Sequence, residues 1–324
     1  MRSSFFQLIL LGCVLLEAPL HAVIERKVEQ NFDVGSQPAL RIDSFYGTVN
    51  VREVAGAKSI GVVVIQTAAT DIEADMDRRL GALDLRMSQA SDGAVVLSAQ
   101  FRRSVTWSWQ NWPPVALNFE ITVPRRCDVE IRTGDGQIVL GAVAGHVDLS
   151  SESGSIFTKE IDGSVKARSR SGAIAITACT GAIDVVTETA NITVGRAGGR
   201  TVLSSRGGYI EVQRAAGEVI VRGDGSDAQV GFVSPIREPA DLLVSGGSLV
   251  MELESNAAST LDLRASRLGR VNLRGKLPME VQSGGLGKST LQSTVNGGGP
   301  RLLARASGGN VWVRSVEPLP VATP

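Results

Sequence analysis

The sequence predicts an all-β protein built around a single-stranded β-solenoid, in which the chain winds into two-sided coils of 18 residues. Three observations predict this fold. Glycines recur every 18 residues in two columns that are offset by nine residues. Aliphatic pairs at spacing i, i+2 follow most of these glycines. Aromatic residues make up only 4% of the chain, whereas glycine occurs 36 times, a composition that suits a repetitive β-structure.

The glycine columns and the aliphatic pairs define the coil. One column is Gly145, Gly163, Gly181, Gly199 and Gly217, and the other is Gly136, Gly154, Gly172 and Gly208, interrupted at Ala190. Residues i and i+2 share one face of a strand but lie about 200° apart around a helix, so pairs such as Val147 and Leu149 indicate strands. Each strand buries its pair only within a stack of coils. The glycines are expected at turns, where a positive φ or a close backbone approach favours them.

Polar residues between the buried pairs follow the same register. One column alternates in charge: Glu152, Arg170, Glu188 and Arg206. A second charged column is Glu130, Asp148, Lys166 and Asp184, and a hydroxyl column, expected among the outward positions at a corner, is Thr133, Ser151, Ser169, Thr187 and Ser205. Stacking in register predicts a ladder of exposed ion pairs in the first column, each worth about 0.2–1 kcal/mol. Solvated charges and turn-forming hydroxyls are the alternative interpretation, which leaves the shared register unexplained.

Residues 1–22 are expected to be an export signal that is removed from the mature chain. Arg2 precedes an apolar run at 5–16, and Ala22 ends the segment. The run is too short to cross a bilayer, and no later segment is apolar enough to do so. Lipoprotein processing at Cys13 is the alternative, but apolar residues continue beyond it. We expect an exported protein that is periplasmic, located on the outer surface or secreted.

Residues 23–124 are expected to form an N-terminal β region, irregular or sandwich-like, with one short helix at 70–79. Ile72, Met76 and Leu80 would share one face of that helix. Further strand candidates lie at 39–42, 47–51, 60–66, 94–101 and 115–123.

Residues 125–225 form the regular solenoid, and 226–315 form less regular coils in which strand-and-glycine units lack a fixed spacing. Residues 316–324 are a proline-rich tail that is expected to be disordered. Cys127 and Cys179 stand nearly three coils apart, about 14 Å along the stack. A disulfide between them is therefore not expected, since its Cα atoms must lie within about 7 Å.

No catalytic or metal site is predicted. Asp128, His146 and Ser164 stand one coil apart in the order of a hydrolytic triad, but a strand surface offers no oxyanion hole or enclosing pocket. Asp135 and Asp224 lie in Gly-Asp-Gly turns, whereas calcium-binding repeats need Asp in turn after turn. Carboxylate-based polysaccharide cleavage usually needs a groove shaped by long loops, which 18-residue coils lack. No zinc spacing, phosphate loop or redox motif occurs, so no cofactor is expected.

Several short units share a hydroxyl residue, a glycine three positions later and an isoleucine two beyond it. They are TGDGQI at 133–138, SESGSI at 151–156 and SRSGAI at 169–174, with related glycine-rich units at 295–300 and 307–311. These units resemble the β-strand repeats of the bacterial putative-adhesin domain family, a class of unknown function, over roughly residues 40–313. The resemblance implies an exported repeat protein with a surface or envelope role, and it brings no catalytic signature.

We therefore expect an exported, non-enzymatic scaffold with an adhesin-like role, whose partners are envelope or surface proteins or glycans. Lys and Arg total 33, as do Asp and Glu, so no excess of positive charge favours nucleic acid. The alternative is a carbohydrate-binding module or a polysaccharide-active solenoid enzyme. Its candidate residues are Trp107, Trp109 and Trp112, because clustered aromatic rings can stack on a sugar. They could instead cover the end of the first coil.

Overall fold

The chain winds into coils that contribute one strand to each of two facing sheets. The computed structural model describes residues 23–102, 115–266 and 268–318, and these contain 26 strands and one helix. The all-β, solenoid-like fold predicted from the sequence is confirmed.

The regular part of the stack runs through thirteen consecutive strands. They are β8 (Asp128–Asp135), β9 (Ile138–Leu140), β10 (Val143–Ser151), β11 (Ile156–Ser169), β12 (Ile174–Cys179), β13 (Ile183–Thr187), β14 (Ile192–Ala197), β15 (Thr201–Ser205), β16 (Ile210–Ala215), β17 (Val219–Asp224), β18 (Ala228–Phe232), β19 (Ala240–Ser245) and β20 (Leu249–Glu254). They pair in parallel, and Val147 lies opposite Val165, 18 residues later. At Val219, which pairs with Ala240, this offset grows to 21 because the turn between β18 and β19 is longer.

Strand β11 joins the two sheets, because it passes from one to the other without a break. Its first residues pair with β9 and β12, and its last residues pair with β10 and β13. We call the sheet that contains β8, β10 and β13 the first sheet, and the sheet that contains β9, β12 and β14 the second sheet. The aliphatic pairs of both sheets point inward and form one continuous hydrophobic core between them.

The N-terminal region continues both sheets. Its elements are β1 (Ile24–Asp33), β2 (Ala39–Tyr46), β3 (Thr48–Glu53), β4 (Ser59–Ala68), α1 (Glu73–Leu80), β5 (Leu83–Gln89), β6 (Val95–Phe101) and β7 (Ala116–Val123). The coil of β2 and β3 lies between that of β6 and β7 and that of β8 and β9, all in parallel. Antiparallel strands close this end: β5 on the first sheet, and β4 and then β1 on the second.

The C-terminal end repeats this arrangement. Its strands are β21 (Ser259–Ser266), β22 (Val271–Arg274), β23 (Met279–Gly284), β24 (Thr290–Val295), β25 (Arg301–Ser307) and β26 (Val311–Val316). The last coil in the sequence, β25 and β26, lies between the coil of β19 and β20 and the coil of β21 and β22. Strands β24 and β23 then extend the first sheet in antiparallel order. The coil of β2 and β3 therefore lies one rung further inside the stack than the coil of β6 and β7, although it comes earlier in the sequence. In the same way, the coil of β25 and β26 lies one rung further inside than the coil of β21 and β22, although it comes later.

Helix α1 is shorter than predicted at its start. It begins at Glu73, because the backbone N–H of Ile72 donates to Thr70 Oγ1 at 3.2 Å in the turn that precedes it. Ile72, which was predicted on the buried face, is 59% exposed and lies before the first helical residue. Met76 is fully buried and Leu80 packs partly against the core, so the rest of the predicted face is correct.

The glycine columns are explained mainly by the close approach of successive backbones. A Cβ at Gly172 would lie 2.0 Å from the carbonyl oxygen of Gly154, and a Cβ at Gly181 would lie 2.3 Å from that of Gly163. A positive φ adds to this at Gly163, where φ is +153°. Any side chain at these turns would push two coils apart, and this is why glycine recurs with the coil period.

The hydroxyl column lies inside the solenoid and not among the outward positions where it was predicted. Ser169 is 5% exposed, because it follows Val165 and Ala167 on the inward face of its strand. Its Oγ accepts the backbone N–H of Gly172 at 2.9 Å and donates to the carbonyl oxygen of Gly154 at 3.2 Å. Ser151 and Ser205 likewise donate to the turn of the preceding coil, whereas Thr133 and Thr187 donate within their own turn.

The two cysteines are buried, free thiols, and they are not joined to each other. Cys127 directly precedes β8 in the first sheet, whereas Cys179 ends β12 in the second sheet. Burial raises the pKa of the Cys127 thiol to about 12. Burial likewise raises the pKa of the Cys179 thiol.

Candidate functional site

The sugar-binding candidates Trp107, Trp109 and Trp112 lie outside the described residues, in the segment between β6 and β7. That β6–β7 coil is the outermost parallel coil at the N-terminal end of the stack. A role of these tryptophans in sugar binding stays a prediction.

The Asp128, His146 and Ser164 positions are adjacent but do not form a catalytic triad. Asp128 Oδ1 accepts the backbone N–H of His146 at 2.7 Å and lies 3.6 Å from His146 Nδ1. The imidazole is 86% exposed. His146 and Ser164 pair across neighbouring strands, yet within the described part of the chain no hydrogen bond joins their side chains. The three residues line an open depression of about 360 Å³, so a nucleophile activated by a histidine is not assembled here.

The aspartates of the two Gly-Asp-Gly turns are hydrogen-bonded to serines of the next coil. Ser153 Oγ donates to Asp135 Oδ1 at 2.7 Å, and Ser245 Oγ donates to Asp224 Oδ1. Across residues 23–102, 115–266 and 268–318, no group of three or more His, Cys, Asp and Glu side chains is placed to hold a metal ion.

The alternating charged column forms ion pairs over three rungs. Arg170 lies 3.2 Å from a carboxylate oxygen of Glu152 and 3.8 Å from one of Glu188. Arg206 makes no ion pair with any described residue, so the predicted ladder stops before it. The three paired side chains are about half exposed or more, and such pairs contribute little to stability in water. The column therefore balances charge along the corner that follows the strands of the first sheet.

A groove of about 600 Å³ follows one corner of the stack. Its floor contains the small buried side chains of Ala178 and Ala197, and its rim carries Arg196 and Arg214. Arg196 reaches across one coil to pair with Glu160 at 2.6 Å. The rim thus carries both signs of charge.

The outer surface of the second sheet carries exposed aromatic side chains. Its central row consists of outward residues that pair across successive strands: Val139, Phe157, Ala175, Thr193, Glu211, Gln229, Val250, Trp312 and Asn272. Phe157 is 38% exposed and Trp312 is 39% exposed. Tyr209, directly before β16, donates its hydroxyl hydrogen to Gln229 Oε1 at 3.0 Å. Partial burial raises the pKa of this hydroxyl.

Sequence reasoning missed Trp312 as a surface residue, although the signal was present. Val311 and Val313 are both fully buried, so strand alternation points Trp312 outward. Next to it, Arg314 pairs with Glu252 at 2.6 Å. The Trp312 ring is therefore flanked by the Glu252–Arg314 ion pair, which has no net charge.

No helix among the described residues has the length and apolar character needed to cross a membrane.

Three solved structures similar to this chain are those of proteins named as adhesins or a cell adhesion protein. A putative adhesin from Bacteroides fragilis is 11% identical with a TM-score of 0.38, and the match covers 90% of this chain and 97% of that chain. A putative adhesin from Parabacteroides merdae is 10% identical with a TM-score of 0.39 and the same coverage. A putative cell adhesion protein from Clostridium sporogenes is 12% identical with a TM-score of 0.21, covering 90% and 100%. No family model and no curated protein matches the sequence. The repeat units of the sequence resemble the same class of protein.

Proposed function

We propose that the protein is an exported, non-enzymatic scaffold of the cell envelope or surface with an adhesin-like role. The observation that carries this proposal is the arrangement of its outward side chains. Both sheets present long continuous surfaces on which equivalent positions recur at every rung, about 4.8 Å apart. A surface of this kind suits an extended partner that is held by many weak contacts.

The contacts of the candidate catalytic groups support a non-enzymatic role. The Asp128 carboxylate accepts a main-chain N–H, and His146 stands in open solvent. Glycoside cleavage needs two carboxylates directed at one bond, one of them acting as an acid. Acids of the outward columns are instead paired with cations, as Glu152 is with Arg170 and Asp148 is with Lys166.

A sedimentation assay tests adhesion and catalysis together. The mature chain, residues 23–324, is mixed with washed envelopes of the producing cell and then centrifuged. We expect it to be retained in the pellet and to release no reducing sugar ends. A chain that stays in the supernatant contradicts adhesion, and a steady release of reducing ends contradicts the non-enzymatic role. Recovery of the full chain in the cytoplasm alone would contradict export.

A carbohydrate-binding module is the second candidate function. The exposure of Trp312 on a continuous sheet beside Asn272 and the Glu252–Arg314 pair favours it. The two functions coincide when the partner of the scaffold is an envelope glycan.

A further inference from the structure

Three aromatic residues lie at equal intervals along the outer surface of the second sheet. Phe157 is on β11, Tyr209 directly precedes β16, and Trp312 is on β26. Three strand steps separate β11 from β16 and three more separate β16 from β26, so neighbouring aromatics lie about 14 Å apart along the stack. By contrast, the hydrophobic core between the two sheets contains Phe32, Phe119 and Phe232, which are buried. Phe157 and Trp312 are exposed in the central row, and the half-buried Tyr209 lies two residues to the side of that row.

The residues around this row are planar polar groups. Trp312 pairs with Val250 on one side and with Asn272 on the other. Two positions from Val250, Glu252 holds Arg314 at 2.6 Å. The Tyr209 hydroxyl is already oriented by Gln229. Such a surface suits a sugar. The C–H face of the sugar can pack on the aromatic ring while its hydroxyls form hydrogen bonds with the neighbouring amide and carboxylate groups.

The charge of this surface favours a neutral glycan over an anionic polymer as the ligand. In the central row between β16 and Trp312 the outward residues are Glu211, Gln229 and Val250, so this stretch of the row contains a carboxylate and no cation. An anionic chain would meet repulsion there, since nearby like charges cost free energy. Arg314, the nearest cation along the strand, is paired with Glu252. The exposed Arg274 lies beside Arg314 on the outermost strand, so this second cation stands at the edge of the surface.

The spacing of the three aromatic residues also favours a glycan over a folded protein as the partner. Protein interfaces concentrate aromatic side chains in one desolvated centre that is surrounded by polar residues. Here Phe157, Tyr209 and Trp312 stand singly, with polar residues such as Thr193 and Gln229 between them. An extended chain that crosses the strands could contact the rings in turn, with each contact weak and their sum tight.

We propose that the outer surface of the second sheet binds a neutral, extended glycan, with Trp312, Tyr209 and Phe157 as three stacking points along the solenoid axis. This rests on the proposed adhesin-like function and names the partner class for it. Trp312 is the strongest of the three points, because tryptophan offers the largest ring surface.

Affinity electrophoresis of the mature chain in gels that contain soluble polysaccharides tests the proposal. One series of gels contains neutral glucans, mannans and galactans, and a second series contains uronic-acid polymers. We expect retardation by at least one neutral polymer and none by the acidic ones. Trp312→Ala should weaken retardation about tenfold. Trp312→Phe should retain most of it, and Phe157→Ala should weaken it by a smaller factor.

Leu243→Ala is the matched control, because Leu243 is also 39% exposed but lies on the first sheet. It should leave retardation unchanged, and the melting temperatures of the variants should stay close to that of the parent chain. The proposal is overturned if no neutral polymer retards the chain, if Trp312→Ala behaves like the parent, or if Leu243→Ala loses as much. Envelope binding that protease treatment of the envelopes removes would also overturn it.

The outcomes distinguish this inference from the proposed function. If the Trp312→Ala chain still sediments fully with envelopes, adhesion stands and the glycan surface fails. If the parent chain binds a neutral glycan through Trp312 but does not sediment with envelopes, the glycan surface stands and the adhesin-like role fails.

Discussion

At the scale of single residues, a glycine and an inward hydroxyl residue together shape the corner of the solenoid that follows the strands of the first sheet. Glycine allows the backbones of successive coils to approach closely, and an inward hydroxyl links the two turns. Gly172 and Ser169 show both requirements at one corner, because the Gly172 N–H donates to Ser169 Oγ at 2.9 Å. The repeat therefore encodes contacts between coils as well as the strands themselves.

Replacing Gly181 with Val should destabilise the fold by about 3 kcal/mol, because the new Cβ would lie 2.3 Å from the Gly163 carbonyl oxygen. Gly35→Val is the control, since a Cβ at Gly35 meets nothing within 4 Å. Melting followed by circular dichroism measures both. Equal melting temperatures for the two variants would show that the coils do not approach closely at Gly181.

Ser169→Ala should lower the free energy of unfolding by about 1–3 kcal/mol. It leaves the buried N–H of Gly172 without its acceptor, and a buried unsatisfied donor has this cost. The exposed Ser171, two residues along, gives the matched control Ser171→Ala, which should have almost no effect. Denaturant titration measures the free energy of unfolding of both variants. If Ser169→Ala leaves this free energy unchanged, the Ser169 hydroxyl does not lie inside the solenoid.

Cys127 should resist alkylation while the chain is folded. Its pKa is raised from 9.0 to about 12, so at any pH below this window the folded thiol carries less of the reactive thiolate than an ordinary cysteine does. Iodoacetamide at pH 8 should label Cys127 only after denaturant is added, as mass spectrometry of its peptide would show. Rapid labelling of the native chain would contradict the buried position.

At the scale of the elements, both ends of the stack depart from simple sequential winding. The coil of β25 and β26 separates β19 and β20 from β21 and β22. Antiparallel strands lie beyond the parallel coils at both ends and limit the parallel edges that another chain could join. The coil of β25 and β26 is thus an internal rung, although it follows every other described coil in the sequence.

A chain that ends at residue 296 should lose far more than one rung. It lacks β25 and β26, so β21 and β22 lose their parallel neighbours and β19 and β20 become an open edge. We expect its melting temperature to fall by more than about 5 °C and proteolysis to begin beyond residue 254. A chain that ends at residue 318 retains every described strand and should melt like the full chain. Similar melting of both truncations would contradict the internal position of the last coil.

At the scale of the whole molecule, the pairing of strands could be predicted from the sequence wherever the contacts recur with the 18-residue period. The register of Val147 on Val165 follows from the 18-residue spacing alone. Neither end could be predicted in this way, because Leu40 and Leu302 carry the same strand signal as any inward residue and their partners lie far away in the sequence. The exposure of Trp312 follows from local alternation, whereas its place in a row with Phe157 depends on which strands are neighbours.

Binding of the mature chain to envelopes should depend little on salt. The formal net charge is zero, and many exposed charges are paired along the columns, as Arg170 is with Glu152. Raising the salt from about 50 to about 500 mM should change retention in the sedimentation assay by less than about twofold, because screening acts on unpaired charges. A steep loss of binding with salt would indicate an ionic partner.

The internal position of the last coil also sets an order of events during synthesis. The chain leaves the ribosome from its N-terminus, so β21 and β22 emerge before the coil that must lie between them and β19 and β20. Simple addition of one rung after another can build the middle of the solenoid, but it cannot finish this end. The nascent protein must keep a place open, or release an early contact, until its final strand at residues 311–316 has been made.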